Sequence, residues 1–157
     1  MGNIITVGIS DMKITSGDDM MVTYALGSCI GTCIYDSVAG IMGLSHILLP
    51  QRSLCPNDNN VKKFADTAIK ELVNCMKKQG SAICRMSAKI AGGAQMFTTN
   101  GLAIGERNIR VVVNELNLLG IKIIAADVGD NFGRTMECHA KDGKVIIKSI
   151  SRGNYIL

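Results

Sequence analysis

Tryptophan is absent from this 157-residue chain, which also holds only three Phe, three Tyr and two His. With so few rings, the core has to be built from Ile, Val, Leu, Met and Ala. No stripe of cations interleaved with aromatics is present, so a nucleic-acid partner is not expected. Long apolar runs are missing too. The longest uncharged stretch near the start, Met20 to Tyr35, is broken by Gly27, Ser28, Gly31 and Thr32. It falls short of the roughly 18 to 20 apolar residues a membrane-spanning helix needs. A basic start followed by an apolar segment is lacking, so no signal peptide is expected. "MGNIIT" fits the loose myristoylation pattern through Gly2 and Thr6, but so short a pattern recurs by chance.

What is present describes one globular unit. Hydrophobic residues make up 47% and charged residues 19%, enough to bury a substantial core, so 1–157 reads as a single domain. The net charge of +4 is spread along the chain. Its densest pairs, Lys62-Lys63 and Lys77-Lys78, fall in one predicted helix and read as a solvated face. Cysteines stand at 29, 33, 55, 75, 84 and 138. A chain this long needs no disulfide staples, and reduced thiols in the cytoplasm are the expectation. Cys29 and Cys33 have no second close pair, and only His46 and His139 are at hand to complete a zinc set, so neither metal nor cofactor is expected.

Strands are expected at residues 3–9, 20–26, 29–36 and 41–50, the last closed by Pro50, with "DMKITSGDD" read as turn and "QRSLCPNDNN" as loop. Apolar residues at 61, 64, 65, 68, 69, 72, 73 and 76 predict an amphipathic helix, with Asn or Asp before it as caps and Gly80 as its stop. "ICRMSAKIAGG" reads as a buried strand. The pattern repeats: apolar residues at 109, 112, 113, 116 and 119 precede Gly120 and the strand "IKIIAADVGD", which suggests a duplicated helix–Gly–strand unit. A hairpin around Asp142-Gly143 ends the chain. The expected fold is α+β: mixed, layered, sandwich-like sheets with two amphipathic helices packed on one side.

Cys29 follows a Gly-Ser pair between two apolar segments. Packing alone asks for neither small neighbour, whereas a nucleophile needs a reachable sulfur and free backbone amides. His46 shares a strand face with Met42, Leu44 and Leu48. Alone, it reads as a core histidine bonded to a backbone carbonyl. The strands holding Cys29 and His46 are joined by a tight turn at 36–40, however, and should be neighbours. A thiol beside an imidazole is readily activated. Gly27 and Ser28 leave space for a substrate carbonyl, the Cys29 N–H is a candidate oxyanion donor, and Thr23 is within reach as a neutral orienting group.

"LGSCIGTCIYD", "GLSHILLP", "KFADTAIKEL", "AKIAGGAQMF" and "IGERN", in this order and spacing from about residue 4 to residue 150, resemble the CheD family of chemotaxis proteins. The resemblance implies a glutamine deamidase that converts selected glutamines in the cytoplasmic helices of chemoreceptors to glutamate. It also implies a fold like the catalytic domain of deamidating toxins, and a catalytic set of Thr23, Cys29 and His46. It further implies a CheC-type phosphatase of the response regulator CheY as a possible partner. "AGGAQMF" and "GERN" are then expected to line the binding face, with Gly92, Gly93 and Phe97 beside substrate. The alternative, that the glycines only turn the chain, stays open. Asp130 stands where the family often has the second glycine of a pair. The resemblance also admits a module that only docks on and stimulates the phosphatase, and a Cys hydrolase acting on methyl-glutamate esters. A cytoplasmic monomer is the default expectation.

Overall fold

The computed structural model describes residues 1–97 and 103–157. Among these residues ten strands form two five-stranded sheets, and two α-helices cover one of them. In chain order the strands are β1 (Ile4–Thr6), β2 (Met12–Ser16), β3 (Met20–Leu26), β4 (Ile30–Asp36), β5 (Ile41–Ile47), β6 (Met86–Gly92), β7 (Lys122–Val128), β8 (Arg134–His139), β9 (Val145–Ser149) and β10 (Gly153–Ile156). Helix α1 (Ala65–Lys78) precedes β6, and α2 (Ile104–Leu118) precedes β7. One sheet has the order β1-β3-β8-β9-β10 and the other β2-β5-β4-β6-β7.

Strand alternation divides the core in two. One face of the β2-β5-β4-β6-β7 sheet places Ile30, Ile34, Ile41, Ile47 and Ile90 against Ala68, Ile69, Leu72, Val73 and Met76 of α1 and Val112 and Leu116 of α2. The opposite face places Cys29, Cys33, Met42 and Leu44 against Met21, Leu26, Met136, Cys138 and Ile147 of the other sheet. The layers therefore run helix, sheet, sheet, as the sequence predicts.

The repeated helix–Gly–strand pattern acquires a meaning here. Strands β5 and β6 are both antiparallel to β4, and β7 is parallel to β6. The two units are thus consecutive crossovers, β5-α1-β6 and β6-α2-β7, with both helices on one face. Gly80 (φ +112°) and Gly120 (φ +73°) end the two helices in backbone conformations that favour glycine.

Several boundaries depart from expectation. β2 lies in the segment read as turn. It is a short edge strand on β5 whose Lys13 and Ser16 are exposed, so its alternation is faint. β10, also an edge, carries Gly153 and Asn154 and gives almost no strand signal. The first strand is three residues long, since beyond Thr6 only the Val7 N–H continues the backbone bonding to β3, and the Ser10 N–H already donates to His46 of the other sheet. Helix α1 has no Asn or Asp cap. Its N-cap is Phe64, and the N–H groups of Ala65 and Asp66 donate to the carbonyls of Leu49 and Pro50. A neighbouring segment satisfies the helix end that a side chain was expected to satisfy. Cys84, expected in a strand, lies in a 3-10 turn (Ile83–Arg85) and is exposed. Among the described residues no helix is long and apolar enough to cross a membrane.

Candidate active site

Strand β3 belongs to one sheet and β4 to the other, so the short link Gly27–Cys29 carries the chain across the sandwich. Two devices hold that link. Upstream, Tyr24 and Ala25 oppose the single residue Thr135, a bulge in the β3–β8 pairing, with Ala25 at φ +57°. The extra residue resets the alternation, so Thr23 and Leu26 both face inward while Tyr24 and Ala25 face out. Downstream, the Cys29 carbonyl accepts from the Gly93 N–H at 2.8 Å, and the Gly27 carbonyl from the Ala94 N–H at 2.8 Å.

Gly92 and Gly93 are needed for that contact. Gly92 has φ +108°, and a β-carbon there would sit 2.1 Å from the Cys29 carbonyl oxygen. Gly93 has φ +69°, and a β-carbon would meet Ile109 at 2.5 Å. Both glycines are buried under the Cys29 link. Asp130, where the resemblance led to the expectation of a glycine, has φ +58° beside Gly129 at +85°. Asp tolerates this region better than most residues, and its carbonyl accepts from the Gln95 N–H.

His46 lies on β5 directly opposite Gly31 of β4, and Ile30 pairs with Ile47. Extending that register by one residue puts Cys29 across from Leu48 and diagonal to His46, on the same inter-sheet face. Diagonal neighbours in an antiparallel pair are roughly 7–8 Å apart at Cα, within reach of longer side chains. His46 is fully buried, whereas Cys29 keeps 7% of its surface.

Thr23 reaches His46 from the other sheet. Its Oγ1 lies 2.7 Å from His46 Nδ1 and 2.7 Å from the Val7 carbonyl oxygen. A hydroxyl has one proton, and a carbonyl can only accept. The Thr23 proton therefore goes to Val7, and Thr23 accepts from Nδ1–H. This assigns the tautomer: Nδ1 holds the proton and Nε2 presents its lone pair. Nε2 has no partner among the described residues.

Burial sets the charge states. It pulls His46 down to about 4. Burial also pushes the Cys29 thiol up from its ordinary value, with its own backbone N–H acting weakly the other way. At neutral pH the resting pair is a thiol and a neutral imidazole. Such a pair suits proton transfer to Nε2 as the sulfur attacks. Among the described residues, the N–H groups of Ser28 and Cys29 donate to no backbone acceptor. They are free to meet an oxyanion.

Two grooves flank the link. One, about 450 Å³, is lined by Ala25, Met96, Phe132, Arg134 and Thr135 among others. The other, about 170 Å³, is lined by Ser28, Ala94, Met96, Phe97 and Ile104 among others. Met96 belongs to both, and a β-carbon on Gly27 would lie 3.0 Å from its sulfur. Phe97 is 77% exposed. The fold thus gathers Thr23, Gly27, Ser28, Cys29, His46, Gly92 and Gly93 around one crossover, with Phe97 at its rim. Met96 falls in the "AGGAQMF" segment expected at the binding face, whereas sequence reasoning passed over Ala25 and Arg134. The buried Arg134 holds the 129–132 loop through the carbonyls of Gly129 and Phe132 and pairs with Asp127. All six cysteines are free, and the described residues contain no cluster of three or more His, Cys, Asp or Glu that could hold a metal ion.

A probable chemoreceptor glutamine deamidase CheD of Syntrophomonas wolfei is 43% identical, with all of both chains covered. The chain belongs to the CheD family. The family profile, described as CheD chemotactic sensory transduction, matches residues 48–149, beginning two residues after His46. Full-length relatives extend the similarity over the Cys29 link. The chemoreceptor glutamine deamidase CheD of Thermotoga maritima is 37% identical over 96% of this chain and 94% of its own. Among solved structures, the hypothetical protein YfiH of Bacillus licheniformis aligns over 77% of this chain and 50% of its own, with 15% identity and a TM-score of 0.45.

Proposed function

We propose that this CheD-family chain hydrolyses the side-chain amide of specific glutamines in chemoreceptor cytoplasmic helices, with Cys29 as nucleophile, His46 as base and acid, and Thr23 as orienting group. One observation carries the assignment of roles. Thr23 accepts a hydrogen bond from the Nδ1–H of a fully buried His46 and leaves Nε2 as an unpartnered base on the face shared with Cys29. A module that only docked on a phosphatase would need neither the unpartnered Nε2 nor the free N–H groups.

The steps follow from these positions. Nε2 accepts the thiol proton as Sγ bonds to the amide carbon. The resulting oxyanion is met by the N–H groups of the Ser28–Cys29 link. His46, now protonated, returns the proton to the amide nitrogen, the C–N bond breaks, and ammonia leaves. Water then gives a proton to Nε2 and adds to the thioester. The C–S bond breaks, the sulfur recovers its proton from His46, and glutamate remains.

The exposed Tyr24, Met96 and Phe97 rim the link and are suited to meet the apolar side of a receptor helix. The test is mass spectrometry of a receptor cytoplasmic fragment after incubation. Wild type should add one dalton per site and release ammonia, and Cys29→Ala should do neither while keeping its fold. Deamidation at the wild-type rate by Cys29→Ala would refute the assignment.

A further inference from the structure

Asn108 lies in α2, near its start, and is fully buried. Its Nδ2 has two protons, and both are used. One goes to the Ser28 carbonyl at 2.9 Å and the other to the Leu48 carbonyl at 3.1 Å. Both neighbours can only accept, so the amide cannot be turned the other way round. Its Oδ1 has no partner among the described residues. The side chain is therefore anchored by its donors alone.

The two carbonyls it joins are significant. The β4–β5 ladder ends at Ile30 and Ile47. Beyond it the Leu48 N–H turns away to the Lys63 carbonyl, and the Cys29 carbonyl is held by Gly93. Asn108 bridges the strands just past the last pair, on the Cys29 side and the His46 side at once. The Ser28 carbonyl also belongs to the peptide whose N–H is that of Cys29. In a trans peptide, C=O and N–H point in opposite directions. A bond that draws the oxygen toward α2 therefore aims the Cys29 N–H away from α2.

Resting on the deamidase reading above, we infer that Asn108 is a positioning residue of the reaction: it orients the Ser28–Cys29 peptide so that the Cys29 N–H faces the developing oxyanion, and it ties that peptide to the strand that carries His46. Nothing about Asn108 requires contact with substrate.

The test compares two reactions of the same thiol in Asn108→Ala. Deamidation of a receptor cytoplasmic fragment builds an oxyanion, whereas alkylation of Cys29 by iodoacetamide builds none. The expected kcat for ammonia release falls about 100-fold, the loss typical of one oxyanion donor, with KM within about twofold. Alkylation should stay within about twofold of wild type. An unchanged kcat, or alkylation falling in step with kcat, overturns the inference. The second result marks a merely structural residue. Should the alanine variant not fold, Asn108→Ser serves for the same pair of rates. Absence of ammonia release from the wild type sinks the deamidase reading instead. The amide resonance of Cys29, compared by NMR in substrate-free wild type and variant, still decides the orientation: it must shift, and an unmoved resonance overturns the inference.

Discussion

Thr23 and His46 come from different sheets, and the 2.7 Å contact between the Thr23 hydroxyl and Nδ1 joins the two layers at the proposed base. The Val7 carbonyl settles the direction of that bond by claiming the only hydroxyl proton.

Thr23→Val keeps the shape of the side chain and removes the acceptor. The imidazole then loses the partner that selects its tautomer, and a buried N–H is orphaned. Deamidation should fall about 10- to 100-fold, with about 1–3 kcal/mol lost in stability. Thr23→Ser should recover most of both. Ammonia-release kinetics and denaturant titration on the two variants check this, and equal activities for Val and Ser would count against the orienting role.

The pH profile should lack the usual histidine inflection near 6.5. Burial holds His46 near 4 and holds the thiol above its ordinary value, so kcat/KM should be level from about pH 5.5 to 8. Stability moves in a related way. The folded His46 binds its proton less readily than the unfolded one. Its contribution is complete above 6.5 and is lost as pH falls from there through about 4. The loss amounts to about 3 kcal/mol. Chemical denaturation at pH 7 and pH 4.5 should show the drop, and His46→Gln should lose less over the same interval.

Gly92→Ala puts a methyl where the Cys29 carbonyl oxygen lies and forces alanine to φ +108°. Backbone, not a flexible side chain, is what the methyl meets, so the Cys29 link has to move. The expected result is a stability loss of about 2–4 kcal/mol and a kcat below one-tenth of wild type. Thermal unfolding and ammonia release measure the two. An active, stable Gly92→Ala would mean that the link tolerates displacement.

Asp36 gives a contrasting variant, because it is seven residues from Cys29 along β4, roughly 23 Å away in extended chain. Its buried carboxylate accepts from the N–H groups of Val38, Ala39 and Ala82 and pairs with Arg85 at 3.1 Å. Burial acts to raise its pKa, but these partners outweigh it and hold the group at about 2. This contribution is present above the ordinary carboxylate value and is lost as pH falls through about 2. Asp36→Ala should cost about 2–4 kcal/mol, read by denaturant titration, with kcat per folded molecule unchanged.

Much of the site was legible in the residues. Period-two spacing put His46 with Met42 and Leu44, and the short 36–40 turn made β4 and β5 neighbours, which is how Cys29 and His46 come to share a face. The 3-1-3-1 spacing over 61–76 marked Val61, Phe64, Ala65, Ala68, Ile69, Leu72, Val73 and Met76, and all are buried except Val61, which lies in the turn before α1 and is half-buried. The bulge at Tyr24 and Ala25 was not legible, because alanine at φ +57° has no compositional mark. Nor was the role of Asn108, whose partners lie 80 and 60 residues away.

The sequence by itself determined which strand and helix faces are apolar, where two helices stop, and that a cysteine and a histidine fall on adjoining strands. Neighbours within a few residues are placed by the geometry of the chain alone. Only the tertiary structure decided that β3 and β4 part into different sheets, that Thr23 meets Nδ1 from across the sandwich, and that one amide from α2 spans the end of the β4–β5 ladder. Those contacts depend on how separate layers settle against each other to bury their apolar faces, and no spacing along the chain encodes that.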